Sequence, residues 1–465
     1  MLKEGSFIRA QGHDFTDVLT GEKYAALGIN YFPENMGWAP KIWSRFNEET
    51  FKKDFEILSE MRVNTIRVFL SLSHAIPNEE QLSEEYFSKV GRFLDIAREY
   101  DIRVIFSGLN SWEGWPAWAE PLLTGQNRGE YFTDETVLHN LELWYKEFGR
   151  RFKDHPALFS LDLLNEPCIE WHTPTREQGF RKYLYEKYKS ISALNSALKT
   201  SFQSFDEIPV PEADEPNRDM LYQYMMFKNQ ISYDFSKRMI SAFKTYDKNH
   251  MVTVGCHQST VPFDGPRYFG FDPQVIGELF DYISLHWYPY DERIEIPSAP
   301  GNLERCINTV CSLLKYMDIG KPVVLEEFGC YGGGSAPKVF WRKEFPYISE
   351  QQQADYTLGV IERAAPYCSG FLNWGYIDCA DWGDATRFQG LFHEDHTKKE
   401  LGIRWPDALK NAEQVIKGPK KAPQKTITLS LKRLVTEPEY TRSLAEEFYD
   451  MNTDIEDYSL KIIKE

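Results

Sequence analysis

The 465-residue chain has no stretch of about 18 apolar residues free of charge, the least that a membrane-spanning helix needs. Its opening segment, MLKEGSFIRAQGHDF, carries no apolar core of a secretory signal. These two absences predict a cytoplasmic protein with no membrane partner. Cysteine is sparse and scattered: seven residues without close CxxC spacing exclude a disulfide framework and a zinc ribbon and fit free thiols. Positive charge is in deficit. The 53 Lys and Arg against 70 Asp and Glu leave a net −17, which repels phosphate backbones and removes nucleic acid from the candidate partners.

No glycine-rich phosphate turn follows an early strand. The first apolar run leads instead into NYFPENMGW, and the GGG at 332–334 comes only after the seventh run, where it reads as an ordinary loop. His257, His286, His393 and His396 lie on separate segments without HExxH spacing, and HEDH at 393–396 reads as a solvated turn. Neither a metal nor any other cofactor is expected.

What the chain has in quantity is aromatic side chains, 12 Trp, 26 Tyr and 31 Phe, in an otherwise ordinary globular composition. Eight short apolar or β-branched runs alternate with segments of helical period: residues 24–32, 63–70, 102–109, 157–164, 251–256, 282–288, 322–328 and 370–374. Helical spacing between them is seen in Phe51, Phe55, Leu58 and Met61, in Phe87, Val90, Leu94 and Ala97, and in Val137, Leu141, Trp144 and Phe148. Eight strand and helix repeats predict an α/β fold, a closed (β/α)8 barrel. The alternating residues around the turn in FIRAQGHDFTDVLTGEKY predict a hairpin plugging the barrel floor. About 85 residues separate the fourth and fifth runs, so an insertion, largely helical, is placed at about 170–218. Residues 1–417 form the predicted catalytic domain. Residues 418–465 form a linker and an acidic extension, expected to pack along the surface or to reach a neighbouring subunit of a homo-oligomer.

A barrel of this kind carries its reactive groups at the C-terminal ends of its strands. The fourth run ends in Asn165-Glu166-Pro167 and the seventh in Glu326-Glu327-Phe328-Gly329. Two carboxylates facing each other across a barrel mouth suit hydrolysis of a glycosidic bond, one protonating the leaving oxygen while the other attacks the anomeric carbon. Alternation along the seventh strand puts Glu326 and Glu327 on opposite faces, so only one of them is expected to enter the site.

The pattern resembles the retaining (β/α)8 glycosidase clan with catalytic glutamates on strands four and seven, most closely glycoside hydrolase family 5, over about residues 8–415. The resemblance implies that Glu166 is the acid/base and Glu327 the nucleophile. It also implies that Arg67 keeps Glu327 ionised, that Asn165 bonds the sugar 2-hydroxyl, and that His286 and Tyr288 form the His-x-Tyr pair with the phenol on the nucleophile. Trp374 then forms the floor of the sugar subsite. Asn110 and Trp112 resemble an Asn-x-Trp element of the mannan-cleaving branch, whereas YLYEKYKSISALNSALKT resembles a segment of intracellular exo-β-galactosidases.

The leading expectation is therefore a retaining β-mannosidase acting on the ends of short oligosaccharides. The alternatives are an endo-β-1,4-mannanase, a β-galactosidase or β-glucosidase on the same scaffold, and a sugar-binding protein without turnover. Ten of the twelve tryptophans (Trp38, Trp43, Trp112, Trp115, Trp118, Trp171, Trp287, Trp341, Trp374 and Trp382) fall in loops or strand ends of the predicted catalytic face. There they are expected to supply stacking surfaces for sugars.

Overall fold

The computed structural model describes residues 1–464 apart from 35–39, 111–114, 124–129, 170–171, 213, 262–269, 290–301, 335–346, 380–381, 383–384, 421–422, 424, 442 and 445–457. Eight strands close a barrel: β1 (Ala26–Asn30), β2 (Thr65–Phe69), β3 (Arg103–Leu109), β4 (Leu158–Asn165), β5 (Met251–Cys256), β6 (Ile283–Trp287), β7 (Val323–Phe328) and β8 (Gly370–Trp374). Each pairs in parallel with the next, and β8 closes onto β1 from Gly370↔Ala26 to Trp374↔Asn30. All eight are buried along their whole length, which is why they read as near-continuous apolar runs.

The surrounding helices are α1 (Glu48–Glu60), α2 (Glu84–Glu99), α3 (Glu135–Phe152), α4 (Pro174–Tyr188), α5 (Ile191–Leu198), α6 (Arg218–Phe243), α7 (Asn302–Met317), α8 (Glu350–Ala364) and α9 (Glu400–Lys417). Their starts are fixed locally. Asn47, Ser83, Asp134 and Asn217 accept backbone N–H bonds at the first turns of α1, α2, α3 and α6, and Ser349 with Gln352 makes a reciprocal cap on α8. The insertion consists of α4 and α5, broken where Lys189 turns to φ +63° and Ser190 caps the second helix.

The N-terminal strands Ile8–Gln11 and Asp14–Asp17 pair antiparallel and close the bottom of the barrel. Phe15, fully buried, meets Phe159 and Tyr282 edge-on at 5.2 and 5.3 Å. After α9, β9 (Lys425–Ser430), α10 (Leu431–Thr436) and β10 (Tyr458–Ile463) lie against the outside of the barrel, with β9 and β10 paired in parallel. Among the described residues no helix is long and apolar enough to cross a membrane.

Candidate active site

Two irregularities in the strands build the site. Between β4 and β5 the pairing passes from Asp162↔Thr253 to Asn165↔Gly255, so β4 spends three residues where β5 spends two. Glu166 follows with φ +47°, its N–H bonded to the Gly255 carbonyl at 2.9 Å. Between β7 and β6 the pairing passes from Leu325↔Leu285 to Glu327↔His286, which makes room for one extra residue, Glu326. This bulge overturns the alternation expected for β7. Both Glu326 and Glu327 turn inward, and both face Arg67, at 3.7 and 2.5 Å.

Arg67, fully buried on β2, is the hub. Its Nε and Nη2 donate to Asp162 Oδ2 at 3.1 and 2.7 Å, its Nη1 to Asn30 Oδ1 at 3.0 Å and to Glu327, and its Nη2 to Ser107 Oγ at 3.1 Å and Asn165 Oδ1 at 2.9 Å. Burial alone would lower its pKa, but Asp162, Glu327 and Glu326 outweigh it and hold the guanidinium firmly protonated. Tyr288 donates its phenol to Glu327 Oε2 at 2.8 Å. Glu326 accepts from Ser284 at 2.7 Å and from Tyr282 at 3.3 Å, beneath Glu327.

His286, fully buried on β6, sits between the carboxylates with Nδ1 at 3.2 Å from Glu166 and 3.5 Å from Glu327. Burial would lower its pKa, yet Glu327, Glu166 and Glu326 raise it to about 9. Glu166 responds in the opposite sense: burial is outweighed by His257, His286 and Arg67, which bring it down to about 2. For Glu327, burial pushes the carboxyl up, His286 and Arg67 pull it down, and the Glu166 charge adds to the rise. Donor atoms of Glu166, His286 and Glu327 all lie within 4.8 Å of one another. Arg67 already supplies positive charge there, and we assign no metal to them.

The structure brings Arg67, Asn165, Glu166, His286, Tyr288 and Glu327 into one cluster. Trp374 joins it through Phe69: the Arg67 guanidinium lies 4.8 Å from the Phe69 ring centre, and that ring is 5.8 Å from Trp374. Trp382 and Phe32 extend the aromatic wall, at 5.6 and 5.7 Å from Trp374. Asn110 is buried directly after β3, and Trp112 lies outside the described residues.

The tryptophan expectation is corrected at two positions. Trp43 is fully buried among Tyr86, Phe93 and Phe106, with its indole N–H on the Phe69 carbonyl, and Trp287 points outward from β6 to the Tyr356 hydroxyl. Both are core. Trp38, Trp171 and Trp341 lie outside the described residues. Asp162, Asn30, Ser107, Ser284, Tyr282 and His257 are not singled out as site residues by sequence, and Glu326 is there only as the alternative to Glu327. A lone acid within an otherwise apolar buried run, as Asp162 is in ALFSLDLL, was the available signal, because such a charge needs a partner.

Residues 38–332, more than half the chain, match the model of the family Glyco_hydro_42, described as beta-galactosidase. The β-galactosidase Pbg of Clostridium perfringens is 27% identical over 286 residues, 57% of this chain and 39% of that protein. The chain spans 24–55% of the length of the first curated relatives it matches. Among solved structures, the cold-adapted β-galactosidase from Rahnella sp. R3 has a TM-score of 0.72 at 14% identity, covering 98% of this chain and 66% of that one. The exo-β-1,4-mannosidase Op5Man5 from Opitutaceae bacterium strain TAV5 has a TM-score of 0.65 at 16% identity, covering 97% and 71%. These two likenesses concern the fold. The sequence motifs resemble family 5, and what family 5 shares with the matching family is the (β/α)8 glycosidase clan. With its closed barrel, its clustered strand-end carboxylates and this match, the chain belongs to the Glyco_hydro_42 family of (β/α)8 glycoside hydrolases.

Proposed function

We propose that the protein is a retaining β-glycosidase that removes terminal β-linked galactose from short oligosaccharides, with Glu166 as acid/base and Glu327 as nucleophile. The observation that carries the reading is the spacing of the pair: an oxygen of each carboxylate lies within 4.8 Å of the other. Retaining enzymes need a gap of roughly 5–5.5 Å for direct attack, whereas an inverting enzyme keeps roughly 6.5–9.5 Å to lodge a water. Glu327, held by Arg67 and Tyr288, attacks the anomeric carbon while Glu166 protonates the departing oxygen. Glu166 then draws a proton from water, which displaces Glu327 with net retention. Asn165 turns its carbonyl oxygen to Arg67, which leaves its amide N–H groups for a sugar hydroxyl. The Trp374 ring suits the apolar C–H face of a pyranose.

Galactose is favoured by the family description and by the names of curated relatives such as Pbg. Mannose is the second reading, favoured by the Asn110-Ser111-Trp112 element after β3 and by the likeness to Op5Man5 over nearly the whole chain. The helices α4 and α5 follow the strand end that carries Glu166, and so long an insertion after that strand favours a walled pocket over an open groove, which supports release of single sugars over internal cleavage.

The test is a matched panel of aryl β-galactoside, β-mannoside, β-glucoside and cellobioside. The highest kcat/KM is expected on the galactoside, with the β-anomer of the free sugar as first product by NMR. A preference for the mannoside selects the second reading. An α-anomer overturns the retaining mechanism, and a folded protein that binds sugars but turns over none of the panel overturns the enzyme. Product sizing on galacto- and manno-oligosaccharides completes it, since early mid-length fragments refute action at chain ends.

A further inference from the structure

We propose that Glu326, a buried carboxylate beneath the nucleophile, is a positioning residue that holds the His286 ring doubly protonated and so makes His286 the store of the proton Glu166 delivers. The inference rests on the glycosidase reading of the same site and gives its acid step a source of protons.

The geometry around the ring carries it. Nδ1 of His286 faces Glu166 at 3.2 Å and Glu327 at 3.5 Å, while Nε2 faces Glu326 at 3.6 Å. Each ring nitrogen thus meets carboxylate oxygens, and among the described residues no donor faces either one. A neutral imidazole keeps one nitrogen as an acceptor, which here would confront an anion; the imidazolium donates from Nδ1 to Glu166 and turns its Nε2–H, which makes no hydrogen bond, toward the Glu326 charge at 3.6 Å. The ring reaches this position because Gly255 on β5 leaves space: a Cβ there would sit 2.8 Å from Nε2. Glu326 is held in place by Ser284 and Tyr282 and lies 3.7 Å from Arg67 Nε.

The charged groups around His286 come from every neighbouring strand. Glu166 and Asp162 belong to the β4 side, Glu326 and Glu327 to β7, Arg67 to β2, and His257, just after β5, acts on Glu166. Four carboxylates against one arginine leave an excess of negative potential, which favours a proton on the histidine. The shift of His286 to about 9, with Glu166 near 2, runs in the same direction.

The proton balance closes without any reagent beyond water. In the first step the proton on His286 Nδ1 crosses to Glu166 and from there to the glycosidic oxygen, as the bond from that oxygen to the anomeric carbon breaks and the Glu327 ester forms. The ring is left neutral. In the second step the water oxygen bonds the anomeric carbon, the ester bond breaks, and the water proton returns through Glu166 to Nδ1.

The test pairs a pH profile with a titration that needs no turnover. Glu326→Gln keeps size and removes charge, so the alkaline limb of kcat/KM on the best aryl glycoside should move down by about one to three pH units while the acid limb stays. Glu326→Asp, which restores the charge, should return the limb toward the wild-type position. In parallel, 15N-histidine NMR of the wild-type protein should show both His286 nitrogens protonated at pH 7, and the Glu326→Gln protein should lose that proton at lower pH. An unmoved alkaline limb in folded Glu326→Gln, or a neutral His286 ring in the wild type at pH 7, overturns the proposal. If Glu326→Gln does not fold, the wild-type titration decides alone. Absence of turnover in the wild type refutes the glycosidase reading and leaves the NMR result standing.

Discussion

Arg67 cannot be replaced by water or by a mobile cation: it is fully enclosed, and removing it strands three carboxylates in the barrel. The division of labour around it gives a sharp test of roles. Glu327→Ala should lose several orders of magnitude in kcat, and azide should restore part of it as the inverted glycosyl azide, because a small anion fits where the carboxylate stood. Glu326→Ala should show no azide rescue, since that side chain is fully buried on Ser284 and Tyr282, and anomeric NMR of the azide product separates the two. Linkage gives a second test at His286. Its folded pKa of about 9 stands above the ordinary 6.5, so its contribution to stability is complete below pH 6.5 and is lost as pH rises through 9. The thermal midpoint of the wild type should therefore fall more steeply between pH 6.5 and 9 than that of His286→Asn. Glu166, Glu327, Arg67, Asn165, His286, Tyr288 and Trp374 were readable because each stands at or near a strand end in a motif. Asp162 is signalled only as a buried charge that needs a partner, and Ser284 not at all, because a single polar residue inside a strand run does not say which neighbours it meets until the barrel closes around it.

The elements were legible wherever apolar periodicity was strong, and the breaks in them were not. All eight strand runs match barrel strands, and the α1, α2 and α3 spacings match buried helix faces. A bulge adds one residue without changing composition, so period-two alternation along PVVLEEF predicts one inward Glu where the fold has two. The β4 bulge is equally silent in the sequence, yet it sets Asn165 and Glu166 over the mouth. Gly255 is the residue through which the two irregularities communicate. Its carbonyl accepts from Glu166, its N–H donates to Asp162 Oδ1 at 2.7 Å, and its missing side chain admits His286 and Arg67. A methyl group there would lie 2.8 Å from the His286 ring and 3.1 Å from Arg67 Nη2. Gly255→Ala should therefore cost about 1–3 kcal/mol in denaturant unfolding by overpacking, and about 100-fold in kcat by displacing the ring. Unchanged kinetics would show that the site tolerates a shifted histidine.

At the scale of the whole molecule, the C-terminal extension is part of what holds the barrel's flank together. Sequence assigns 418–465 to a linker and an acidic tail, and the described part of it is docked. Leu431 and Val435 of α10 pack on Leu221, Tyr222 and Met225 of α6, and Lys432 pairs with Asp219 at 2.8 Å. Lys315 of α7 donates to the Tyr458 carbonyl and sits 4.2 Å from the centre of that ring. Burying two aliphatic side chains of this size stabilises by about 3–6 kcal/mol before ordering costs, enough to couple the extension to the barrel. The full chain should then unfold in one calorimetric transition whose van't Hoff and calorimetric enthalpies agree. A protein ending at Gly418 bares Leu221, Tyr222 and Met225 together, so it should melt at lower temperature and associate more readily, while the kcat of its folded fraction is kept because the catalytic cluster lies at the strand ends and not on this flank. An unchanged melting temperature after truncation, or two separate transitions in the full chain, would make the extension an independent unit.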